Sequence, residues 1–165
     1  INKFIIGNFM ANFIVSASNL YSLRAIDQVL SYGGQLEAVL LTSAAFASII
    51  YHALESAKHD MTGIPKFQRY ENIALWTDRI LASMVAARFL WVYKNRINRN
   101  IILLGIISVA CLMASECQHV IDIKKYVGRH TKLFYILTHI AWHFGAFHIA
   151  YLLAKRRVRF DMSPK

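Results

Sequence analysis

LEAVLLTSAAFASIIYHAL, residues 36–54, decides the fold. Glu37 is its one formally charged residue, and its length falls in the range of about 17–25 residues that a helix needs to cross a bilayer. Stretches of the same kind recur along the chain. Residues 4–23 (FIIGNFMANFIVSASNLYSL) are apolar but diluted by Asn8, Asn12 and Asn19. Residues 71–93 carry Asp78, Arg79 and Arg88 within the run, and 101–115 are very apolar but long enough only for a thin bilayer. Residues 133–154 close the series, capped by Lys155-Arg156-Arg157-Val158-Arg159.

This pattern predicts an all-α, multi-pass transmembrane helix bundle of about five spans, forming a single integral-membrane domain over 1–165. If the first segment lies on the surface as an amphipathic helix, four spans remain. The breaks are a polar stretch over 24–35 with Gly33-Gly34, a loop over 55–69 marked by Gly63 and Pro65, and a basic turn over 94–99. A polar segment over 116–132 is expected to hold a short surface helix. The basic residues divide almost evenly between the two sides, so the positive-inside rule sets no orientation.

Composition agrees. Of 165 residues, 56% are hydrophobic and 17% charged, with a mean hydropathy of +0.37. A soluble domain carries about a quarter charged residues, and a disordered chain lacks this apolar content. The net charge of +10 sits between apolar runs, where it meets lipid phosphates rather than nucleic acid. Cys111 and Cys117 are six apart on one helix, too far to bridge, and say nothing of redox compartment. A chain that starts at Ile1 is expected to be processed or a fragment.

Three pieces can carry chemistry. Ser48-Ile-Ile-Tyr-His52 sets a hydroxyl and an imidazole on one helix face, and His139-Ile-Ala-Trp-His143 does so for two imidazoles. Asp78 lies about two turns into the third span. Chain direction puts His52, Asp78, His139 and His143 in the same half of the bilayer. Three imidazoles and one water form a common open coordination set for catalytic zinc. Zinc lowers the pKa of its water to about 7. Asp78 can then orient a ligand or take the water's proton, and Ser48 can hydrogen-bond the water or a developing oxyanion. Each residue also has a plainer role. Asp78, Arg79 and Arg88 can form an interhelical ion-pair network, and Ser48 can permit close packing beside Ala44, Ala45 and Ala47. His148 points away from the pair. Glu55, His59 and Asp60 border the pocket mouth, as an entrance or a wet rim. Trp76, Trp91 and Trp142 read as interfacial belts and packing.

The order of these residues resembles the CREST superfamily of alkaline ceramidases, progestin/adiponectin-type receptors and myomaker-like proteins. Its pattern is S-x-x-x-H on the second span, an aspartate near the start of the third, and H-x-x-x-H on the last. Here these read Ser48–His52, Asp78 and His139–His143. The resemblance covers about 36–93 and 131–154. It implies zinc held by His52, His139 and His143, with Ser48 and Asp78 in support, and hydrolysis of lipid amides within the membrane.

The leading expectation is therefore a zinc-dependent lipid amidase or esterase whose partners are membrane lipids. The family has seven spans against about five here, which motivates a rival: a non-catalytic subunit of a larger membrane complex. The mitochondrial inner membrane and the ER/Golgi both suit such a chain. A third class is electron transfer through a bis-histidine haem, which would leave Ser48 and Asp78 without a role.

Overall fold

The computed structural model describes residues 3–55, 63–116 and 131–161. Among them the chain is all-α, with no strand. Helix α1 (Lys3–Ser18) runs through a 3-10 turn (Asn19–Tyr21) into α2 (Ser22–Leu30) without leaving right-handed helical backbone. The polar break expected over 24–35 is thus mostly helix. Arg24, Asp27 and Gln28 are polar, but Ser22, Ala25 and Val29 recur at helical spacing and are buried, so one face of α2 packs inward.

The real break is Ser31–Gly34. Gly33 takes φ +79° and donates to Leu30 O, while Gly34 donates to Val29 O at 3.1 Å. This Schellman closure satisfies the last carbonyls of α2 and turns the chain sharply into α3 (Gln35–Leu54). A left-handed residue without a Cβ penalty is what the turn requires.

A 3-10 turn (Pro65–Tyr70) leads into α4 (Glu71–Tyr93), and a second (Lys94–Arg96) ends it. Asn98 then caps α5 (Arg99–Glu116): its Oδ1 accepts from the Ile101 N–H at 3.1 Å. The cap draws Arg99 and Asn100 into a helix whose apolar run begins only at Ile101. The last helix, α6 (Thr131–Asp161), continues through the basic cap beyond 154 and is about 46 Å long at 1.5 Å per residue. The surface helix expected over 116–132 falls largely on 117–130, outside the described residues, apart from Glu116 in α5 and the start of α6.

Helices α3 and α6 are central. The first packs on α1, α2 and α4; the second on α1, α2 and α5. One apolar core joins Val29, Leu41, Phe89, Tyr93, Ile101 and Leu153, at the end of the bundle away from the paired histidines. Glu37 and Arg88 tie α3 to α4 near this core, with Arg88 Nη2 at 2.8 Å from Glu37 Oε1. Arg79 reaches Glu116 on α5 at 3.2 Å.

Three of the described helices are long and apolar enough to cross a membrane: Gln35–Leu54, Arg99–Glu116 and Lys132–Arg157. Helix α1 is shorter, at 16 residues, and α4 carries the charges of Glu71, Asp78, Arg79 and Arg88. Large apolar side chains face outward on every helix from α1 to α6, among them Phe46, Trp76, Trp91, Ile106 and Leu137.

Candidate metal centre

Each histidine stands on an inward polar stripe. On α3, Ser48, Tyr51 and His52 occupy neighbouring positions of one buried face, and Glu55 follows directly at the helix end. On α6, Tyr135, His139 and His143 recur every four residues and are all buried. Where the stripes meet, His52, His139 and His143 each offer a ring nitrogen, and these lie within 4.8 Å of one another. Ring centroids are 4.6 Å apart for His52–His139, 4.8 Å for His139–His143 and 5.3 Å for His52–His143.

Hydrogen bonding fixes which nitrogen faces the cluster. Ser18 Oγ gives its proton to Val15 O at 2.6 Å, so toward His143 Nδ1, also at 2.6 Å, it accepts. Ser115 Oγ likewise donates to Leu112 O at 2.7 Å and accepts from His139 Nδ1 at 3.1 Å. His52 Nδ1 donates to Glu55 Oε2 at 2.9 Å. These partners favour the tautomer with hydrogen on Nδ1 and a lone pair on Nε2 in each ring. This is how metal-binding imidazoles are oriented, the outer N–H held by a protein acceptor.

His52 Nε2 is buried with no hydrogen-bond partner. A buried, unsatisfied nitrogen of this kind costs about 1–3 kcal/mol, which a cation at the cluster would offset. Three buried imidazoles so close together could hold a metal ion, and nitrogen donors of this kind fit zinc among the transition metals.

Ser48 and Asp78 complete the group expected from the sequence. Ser48 Oγ lies 3.4 Å from His143 Nε2, and Asp78 lines the same cavity as both. Asp78 is thus at the site. The ion-pair network expected around it runs through its neighbours instead, Arg79 to Glu116 and Arg88 to Glu37. Ser48, Asp78 and His143 stand at the histidine end of a cavity of about 400 Å³. Leu41, Val85, Phe89, Ile101, Ala146 and Leu153 line its apolar remainder between α3, α4, α5 and α6. Trp142 lines this cavity rather than an outer belt, and His148, as expected, turns away to Tyr21 Oη at 3.0 Å.

Several site residues escaped the sequence reading. Glu55 is no wet rim: it is fully buried, and besides His52 it accepts from Tyr135 Oη at 2.7 and 2.8 Å and from Tyr51 Oη at 3.3 Å. Its spacing three after His52, and that of Tyr135 four before His139, was the available signal. Asn12 donates through Nδ2 to His52 O at 2.7 Å and to Glu55 O at 2.8 Å, closing the end of α3. Nothing in the sequence distinguished Ser18 or Ser115 from packing serines. His59 and Asp60 lie outside the described residues.

No family model matches the chain, and no solved structure matches it. An uncharacterized protein of Acanthamoeba polyphaga mimivirus is similar to it, 29% identical over 154 residues that cover 90% of this chain and 99% of that one.

Proposed function

We propose that this chain is a CREST-like, multi-pass membrane protein that binds zinc through His52, His139 and His143 and hydrolyses an amide or ester bond of a membrane lipid. The observation that carries the reading is the convergence of three buried imidazoles whose Nδ1 atoms are all engaged outward, leaving three Nε2 lone pairs for one cation. Ionisable groups at membrane depth are costly, which disfavours an idle cluster. Outward-facing Phe46, Trp91, Ile106 and Leu137 suit contact with lipid tails.

Zinc bound there supplies Lewis acidity and brings water toward ionisation at neutral pH. The chain's own residues do the rest. The apolar cavity takes a hydrocarbon chain and sets the adjoining carbonyl beside His143 and Ser48. The Ser48 hydroxyl donates to the carbonyl oxygen as negative charge develops on it. Asp78 takes the proton of the attacking water and delivers it to the departing nitrogen or oxygen. The clamps on Nδ1 keep the imidazoles from turning during the cycle.

The test is elemental mass spectrometry on the detergent-solubilised chain, with native mass and lipid-amide hydrolysis from the same preparation. The expected result is about one zinc per chain, as a single bound ion requires. The zinc is lost in His139→Ala, and turnover is abolished in His143→Ala. Full turnover by zinc-free protein would rule the mechanism out. Absence of zinc from a chain that co-purifies at fixed stoichiometry with other proteins would favour the non-catalytic subunit.

A further inference from the structure

Resting on the zinc reading, we infer that Glu55 is a positioning residue of the metal centre, holding His52 as the carboxylate of a carboxylate–histidine–metal relay. It is not part of the S-x-x-x-H, Asp and H-x-x-x-H pattern, yet among the described residues it is one of the most deeply buried side chains.

The geometry around it is that of a built acceptor. Three donors converge on two oxygens: His52 Nδ1–H on Oε2 at 2.9 Å, Tyr135 O–H on both, and Tyr51 O–H on Oε1. An ionised carboxylate, which only accepts, completes that set. The donors come from both central helices, Tyr51 and His52 from α3 and Tyr135 from α6. Backbone placement is fixed as well, because the Asn12 amide bridges His52 O and Glu55 O. At Glu55 the chain leaves the helix, with φ −57° and ψ 121°, and the carboxylate meets Nδ1 of His52.

Two consequences follow for the metal. A carboxylate on Nδ1–H raises the basicity of Nε2, the atom directed at the cluster, and keeps the ring from turning. Glu55 also brings a negative charge to three neutral imidazoles, which offsets part of the charge of a dication held there. Charge balance of this kind makes a buried carboxylate tolerable. Tyr135 acts one step further out: it shares a helix with two ligands and steadies the carboxylate that steadies the third.

The experiment is zinc affinity by chelator competition on the full-length protein in detergent micelles, read beside the melting temperature of the zinc-free forms and the visible spectrum of the cobalt-substituted protein. Outer-shell losses typically weaken metal binding by about 10–100-fold, which is the expectation for Glu55→Gln. Its cobalt bands should shift, because His52 then binds as a differently polarised imidazole. Tyr135→Phe, which leaves the carboxylate in place, should weaken zinc by a smaller factor and serves if Glu55→Gln does not fold. A merely structural Glu55 would lower the apo melting temperature and leave zinc affinity and cobalt bands unchanged, and that result overturns the inference. Wild-type protein that holds zinc, loses it in His139→Ala and matches both variants in affinity defeats the role of Glu55 alone. Wild-type protein that binds no zinc defeats the metal reading and this one with it.

Discussion

Replacing Ser18 by alanine isolates one hydrogen bond of the centre. Ser18 belongs to α1 and accepts from His143 Nδ1 at 2.6 Å while donating to Val15 O. Alanine removes the acceptor and leaves a buried N–H without a partner, a cost of about 1–3 kcal/mol. His143 can escape that cost by moving its hydrogen to Nε2, where Ser48 can accept it, but that tautomer has no lone pair for a metal. Either way zinc binding bears the loss. At about 1.4 kcal/mol per decade, this is about 5- to 150-fold in affinity, overlapping the 10–100-fold typical of outer partners. The assay is chelator competition in micelles, with Ser16→Ala as the matched control. Ser16 is two residues earlier on another face of α1, equally buried, and donates to Ile49 O at 3.3 Å. Ser16→Ala should lower the melting temperature and leave zinc affinity alone. If wild type binds zinc and Ser18→Ala binds it within twofold, the tautomer argument is refuted.

Two further predictions test packing and the cavity. A Cβ on Gly145 would collide with Ser108 on α5, so Gly145→Ala should destabilise the chain by about 1–3 kcal/mol, and Ser108→Gly in the same protein should recover most of the loss; melting curves of the three variants check this. Gly105 lines the cavity and its added Cβ would meet only Ile149, at 3.9 Å. Gly105→Phe should therefore fold and keep zinc while disfavouring longer acyl chains, at about 0.8 kcal/mol or roughly fourfold in kcat/KM per excluded methylene. A chain-length profile identical to wild type would show that the cavity does not receive the substrate.

The helices were legible because apolar length is a direct signal, and the histidines because i, i+4 spacing survives any error in helix ends. Other residues were hidden for specific physical reasons. The polar face of α2 (Arg24, Asp27, Gln28) outweighs its narrow buried stripe in a hydropathy reading, so a helix looked like a break. Glu55 looked like a rim because a charge at a span end is ordinarily solvated, and only tertiary packing supplies Tyr135 from 80 positions away. Asn12 reads as dilution of an apolar run and Ser18 as one small residue among others, although their amide and hydroxyl serve two other helices. The charges of α4 were visible from the start, but their partners were not: Arg88 meets Glu37 and Arg79 meets Glu116 across helices whose docking no local pattern encodes.

The distribution of the centre along the chain bears on how the protein is made. Its parts come from α1 (Ser18), α3 (His52), α5 (Ser115) and α6 (His139, His143), so the first contributor and the last are far apart in the sequence. During synthesis from the N-terminus, a nascent chain that has reached only α5 owns one imidazole of three and no cation site. Metal capture would thereby be confined to molecules in which α6 has already docked. A bound ion would then act as a latch set only after α6 is in place, and quality-control proteases would meet every chain lacking it in its unlatched form.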